Sequence, residues 1–314
     1  MMTQEIFKDY YSLDTMHEVI VVQMGKVGST SVVESLKAYN IHATQCHFIT
    51  KEAILKIIDN FIICSKNEQT AFHSIVQCFV NTILLNKIYR YKEQDNGIQK
   101  KRLKFISMTR DPLTWYFSNL SQNFHEYKDD ISAYVEKKIE ATEEQELEEI
   151  IYIFVKDVLN LYKDNVDKVD INSMADYRRL ATHYSQNKKM QLVIRQFWIL
   201  MRPHLWFQTH LDPLLDNPVF NETFDHGKGY IITNGSYYDM LIFRFEDIKM
   251  YCEMAIKEFL KIDTFNLNHL NESKDSSVGK VVNQVRDRLF SEFSLNDLYV
   301  ESDYMRKFYS YKFK

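Results

Sequence analysis

Glycine and proline are scarce, with only 7 and 4 among 314 residues. That scarcity excludes collagen-like and linker-rich chains, and no low-complexity segment or internal repeat is visible. Four cysteines, Cys46, Cys64, Cys78 and Cys252, are scattered without CxxC spacing. They argue against a zinc knuckle or a disulfide framework and for a reducing compartment. No apolar run reaches transmembrane length. The opening "MMTQEIFKDYYSLD" lacks the positive start and apolar stretch of a secretory signal, so a cytoplasmic location is expected. Positive charge is not in excess either. Lys and Arg number 39 against 43 Asp and Glu, for a net charge of -4 and a pI near 6.2. With no global basic field, nucleic acid is not an expected partner.

What is abundant is apolar: 45% of residues are hydrophobic and 14% aromatic, enough for a large core. Val19-Ile20-Val21-Val22 suits a strand covered on both faces, and Val32, Val33 and Leu36 follow at helical spacing. Residues 43–48 read as a second strand, 51–63 and 67–90 as helices, and 103–110 as an alternating strand. Asp111-Pro112 then starts another helix. The acidic stretch 126–170, densest at "EATEEQELEEIIYIF", reads as the solvated face of inserted helices. Residues 176–201 are amphipathic up to an interruption at Pro203. Two strands flank an Asn234-Gly235 turn signal, and the tail from Ser276 is helical. Strands alternating with helices predict an α/β fold with a central, mainly parallel sheet flanked by helices. A single domain over 1–314 is expected, with a helical insertion at about 126–205.

Against the glycine scarcity, "HEVIVVQMGKVGSTSVVESL" stands out. Gly25 and Gly28 surround Lys26-Val27, and Ser29, Thr30 and Ser31 follow at once. Between a buried strand and a helix, such a loop presents backbone N–H groups and the positive end of the helix dipole to an anion. The glycines permit close approach, Lys26 adds a point charge, and the hydroxyls donate hydrogen bonds. The order is not that of a nucleotide P-loop, in which the lysine directly precedes the hydroxyl that holds the metal. A plain glycine turn capped by serine is the alternative.

Lys26-Val27-Gly28-Ser29-Thr30 resembles the 5′-phosphosulfate loop of the PAPS-dependent sulfotransferases. "TRDPLTWYFSNL" resembles that family's 3′-phosphate segment, with Arg110 at the strand end and Ser118 eight residues later. "LIFRFEDI" resembles its late strand, and the whole layout is similar to the capsular polysaccharide synthesis subgroup. The resemblance implies a P-loop-like sulfotransferase fold with helical insertions. It also implies PAPS as co-substrate, a saccharide hydroxyl as acceptor, and no metal. Ser31 stands where cytosolic members carry an adenine-stacking tryptophan, and Trp115 where several carbohydrate-modifying members carry arginine. The late glycine-rich loop is absent unless "SKDSSVGK" replaces it.

Sulfuryl transfer needs a stabilised leaving group and an activated acceptor. Lys26 is the candidate for the first. His47, at the expected C-terminal end of the second strand, is the candidate base, with His73, His125, His210 and Asp212 in reserve. His42 and His47 lack a third partner for a metal site. Trp198 and Trp206 are candidate sugar-stacking walls, and "WILMRPHLWF" is a candidate membrane-resting stretch. An ATP-dependent kinase with an atypical loop and a non-catalytic nucleotide-binding protein remain as alternative readings.

Overall fold

Val19–Val22 consists of four β-branched residues, each buried. Branched side chains suit a pleated surface, and burying each contributes about 1.5–3 kcal/mol. This strand, β1, is surrounded by β2 (Ala43–Cys46), β3 (Leu103–Thr109), β4 (Tyr230–Asn234) and β5 (Tyr238–Arg244) in the order β2-β1-β3-β5-β4. All neighbours pair in parallel except β4 with β5. The computed structural model describes residues 19–63, 68–93, 102–136, 144–165, 175–176, 179, 182–183, 188–268, 276–294 and 298–313. The chain divides into two compact units, one of Met1–Thr109 with Trp206–Leu270, the other of Arg110–Leu205 with Asn271–Lys314.

In the sheet unit, α1 (Ser29–Ala38) and α3 (Glu68–Glu93) pack on β2, α2 (Lys51–Ile63) packs on α3, and α7 (Ile248–Leu260) packs on β4 and β5. The chain goes from β1 to β2 on one side, then returns past β1 to β3 on the other. This reversal makes the C-terminal end of β1 a topological switch point, where open α/β sheets bind ligands. The alternation expected of β3 hides a different environment. Ser107 and Thr109 are as buried as Phe105 and Met108, because a central strand has both faces covered.

The β4–β5 hairpin closes at Gly235, whose N–H donates to the Tyr238 carbonyl. Its glycine is required for space: a Cβ there would collide with Asp216 and the Tyr238 ring. The Asp216 carboxylate accepts from the Ser236 N–H at 2.8 Å. Arg102 donates to Asp239 at 2.8 Å and to the Tyr238 carbonyl.

The helical unit holds α4 (Pro112–Val135), α5 (Glu144–Asn165), α8 (Ser277–Glu292) and α9 (Asp303–Tyr309), with α5 and α8 packed together and each against α4. It is wider than the insertion expected at about 126–205, since it begins at Arg110 and takes in the C-terminal segment. The acidic stretch is only partly solvated. Ile150, Ile151, Phe154 and Val155 form the buried face of α5, while Glu149 pairs with Arg288 at 2.8 Å. Trp115 and Tyr116 lie in the core of this unit.

Between the units in sequence, α6 runs from Lys188 to His210 straight through Pro203, against the expected interruption. Proline inside a helix costs about 3 kcal/mol. Burial of Leu205, Trp206 and Phe207 beyond it offsets that cost at about 1.5–3 kcal/mol each. The same burial removes Trp206 as an exposed sugar-stacking wall, and of the apolar side chains in "WILMRPHLWF" only Trp198 is half-buried while the others face the core. Among the described residues, no helix is long and apolar enough to cross a membrane.

Candidate functional site

The loop leaving β1 is built on backbone conformation. Gly25 has φ 78°, Lys26 φ 55° and Gly28 φ 78°. For lysine the left-handed region costs about 1–2 kcal/mol, so Lys26 is held there by its surroundings. Gly28 is the N-cap of α1, which has no side-chain cap and no acidic residue in its first turn. Polar groups at a helix start need partners, and at α1 neither a cap side chain nor a first-turn carboxylate supplies one. A Cβ at Gly28 would lie 3.1 Å from both Phe245 and Ile248. The "RFEDI" segment thus backs the loop, steadied by the Arg244–Asp247 ion pair. A Cβ at Gly25 would approach only the Cε1 of His47, at 3.9 Å, so that side of the loop is roomy.

Two amides absent from the expected site hold the loop. Gln23 is wholly buried. Its N–H donates to the Cys46 carbonyl at 3.1 Å, and its side-chain oxygen accepts from the Gly25 N–H. Its Nε2 lies 2.9 Å from His47 Nδ1. Gln45, on β2, donates to Ser29 Oγ at 2.9 Å, which leaves the Ser29 hydroxyl hydrogen for another acceptor. Ser29 and Ser31 are buried and Thr30 is exposed. Val27 is buried in the core, so of the Val27 amide unit only the backbone can serve a ligand. One local signal marks Gln23 in the sequence: an amide at the end of a wholly apolar strand needs a buried partner. Next to His47, Cys46 is buried, and burial pushes its thiol up to about 12.

The second expected anion position lies in the helical unit. Arg110 is half-buried, and its main chain is gripped by one side chain. The Tyr304 hydroxyl accepts from the Arg110 N–H at 3.0 Å and donates to its carbonyl at 2.9 Å. Tyr304 is buried, and nothing in the "TRDP" motif pointed to it. Asp111 caps α4, accepting from the Thr114 N–H at 2.9 Å, with Pro112 in the first turn as expected. Ser118 is half-buried on the second turn of α4.

His204 is buried beneath Tyr304, with ring centroids 5.9 Å apart. Its Nδ1 lies 2.7 Å from Ser302 Oγ, which also caps α9 by accepting from the Met305 N–H. Burial lowers the His204 pKa to about 3, so it is neutral.

The structure brings Gly25, Lys26, Gly28, Ser29 and His47 together in the sheet unit. The reserve residues are spread out. His210 packs against Phe48 and Trp206. Asp212 accepts from the Val219 N–H at 2.9 Å. His125 is exposed beside Glu126 on α4, and the His73 side chain lies outside the described residues. In "SKDSSVGK", Ser276 caps α8 by accepting from the Gly279 N–H, and Ser273–Asp275 lie outside the described residues. Among the described residues, no three His, Cys, Asp or Glu side chains are grouped as metal ligands. Scans against family models, curated proteins and solved structures find no match to this chain.

Proposed function

We propose that this chain is a sulfotransferase of P-loop-like fold that moves a sulfuryl group from PAPS to a hydroxyl of a saccharide acceptor in cell-surface polysaccharide synthesis. The observation that carries the reading is the start of α1. A helix N-terminus without a side-chain cap follows three left-handed residues, one of them a lysine, at the switch point of a mainly parallel sheet. Lys26 and the N–H groups of residues 28–31 offset charge on the leaving phosphate oxygen. Ser29 and Thr30 orient the phosphate, and Gly25 leaves room beside it. The resemblance of "TRDPLTWYFS" assigns Arg110 and Ser118 to the 3′-phosphate, where a guanidinium fork suits paired phosphate oxygens. His47 borders the loop, and its role depends on which ring nitrogen holds the proton.

Thermal unfolding with 3′-phosphoadenosine 5′-phosphate (PAP), with ATP and with ATP plus magnesium tests the donor. A ligand at 100 times its Kd stabilises by about 2.7 kcal/mol. The reading expects PAP without metal to exceed ATP, and labelled sulfate to pass from PAPS to a saccharide. A larger shift with magnesium-ATP favours a kinase. Binding of PAP without transfer favours a non-catalytic nucleotide-binding protein.

A further inference from the structure

We infer that Gln23 locks His47 in the tautomer that carries its proton on Nε2, so that the imidazole meets an anion at the loop as a hydrogen-bond donor rather than an acceptor hydroxyl as a base. A backbone N–H can only donate, so the Gly25 N–H requires the oxygen of the Gln23 amide to face it. The NH₂ of that amide is thereby turned to His47 Nδ1, at 2.9 Å. An NH₂ group needs a lone pair, and a neutral imidazole that offers one at Nδ1 holds its hydrogen at Nε2.

The Gln23 carbonyl, 3.1 Å from the same Nδ1, favours the opposite arrangement. Adopting it would place an Nδ1–H against the Gln23 NH₂ at 2.9 Å, donor against donor. Turning the amide over to relieve that clash would set its NH₂ against the Gly25 N–H. The buried Gln23 side chain has no solvent to help it, and an unmade hydrogen bond there costs about 1–3 kcal/mol. The Gly25 amide therefore decides the protonation pattern of a histidine 22 residues downstream. Gln23 is a positioning residue, and the Cε1 edge of the ring, next to Nε2, faces the roomy side of Gly25. Only the identity of the anion rests on the proposed function.

Long-range ¹H–¹⁵N correlation on histidine-labelled full-length protein at neutral pH, with His47→Asn to assign the signals, reads the tautomer directly. The expected result is an unprotonated Nδ1 in the parent protein and a protonated Nδ1 in Gln23→Glu, whose carboxylate accepts from both neighbours. Gln23→Met, which removes the NH₂ without adding charge, is expected to release the ring to donate from Nδ1 to the Gln23 carbonyl. A protonated Nδ1 in the parent protein overturns the inference, with or without the variants. So does an unprotonated Nδ1 that survives both substitutions. Adding PAP is expected to shift the Nε2 proton. If PAP moves no loop signal while the tautomer is as stated, the donor reading fails and the lock stands.

Discussion

The connections leaving β1 and β3 are both short passages from a parallel strand into a helix, yet they satisfy the helix start in opposite ways. At α4 the cap is internal, because the Asp111 carboxylate accepts from Thr114 and Pro112 removes one donor. At α1 the N-cap is a glycine that brings no side chain, with no acid in the first turn. A helix start that supplies its own carboxylate has little to offer an anion, whereas one that supplies none is prepared for it. Under the proposed function, anion binding near β3 would therefore fall to the Arg110 guanidinium rather than to helix N–H groups. Near β1 the same proposal gives it to the backbone, with Lys26 as supplement.

The largest effect that tests this contrast is expected at Lys26. Lys26→Gly removes the ammonium and relieves a left-handed residue, so sulfuryl transfer should fall about 100- to 1000-fold with no loss in thermal stability. Activity within a few fold of the parent protein would take Lys26 out of the mechanism. Next come the glycines, compared by denaturant unfolding. Gly28→Ala adds both a left-handed cost and contacts with Phe245 and Ile248, for about 2–4 kcal/mol. Gly25→Ala adds only the first, about 1–2 kcal/mol. Equal losses would mean that "RFEDI" does not brace the loop.

At the other connection, Arg110→Ala should cut the preference for PAP over AMP about 10- to 100-fold in calorimetry. The fold should be intact, because Tyr304 grips only the main chain of Arg110. The pH response of that unit follows from His204. The unfolded chain protonates it near 6.5 and the folded protein only at about 3. The unfolded state thus binds the extra proton below pH 6.5. Stability is fully present above that value and falls as pH drops through the window, by up to roughly 1.4 kcal/mol per pH unit. His204→Asn should flatten the curve, measured by denaturant unfolding from about pH 7 to about pH 4. The smallest effect is that of the internal cap: Asp111→Ala should cost about 1 kcal/mol of stability, a loss that has no counterpart at α1.

Much of the sheet was legible because its signals are local. Val19–Val22, the glycine loop, the Asp111-Pro112 helix start and the Asn234-Gly235 turn each declare themselves within a few residues. What escaped depends on distant partners. Pro203 reads as a break until the burial of Leu205, Trp206 and Phe207 on its far side is known. At Gly235 the turn was foreseen, but its reason is the crowding of Asp216 and Tyr238 rather than a positive φ. At the candidate site, Lys26 and the hydroxyls are visible as a motif. The side chains that support it carry no motif: Gln45 reaches Ser29 from 16 residues away and Gln23 ties Gly25 to His47, 24 residues on, while at the other connection Tyr304 holds Arg110 from 194 residues away.

The burial of Cys46 beside His47 has a practical side. Burial pushes its ionisation up to about 12, so the reactive thiolate is disfavoured at neutral pH. Thiol-directed inhibitors aimed at the glycine loop will not find their anchor in Cys46, and a fluorophore can be coupled to a cysteine introduced at exposed Thr30 without modifying this neighbour.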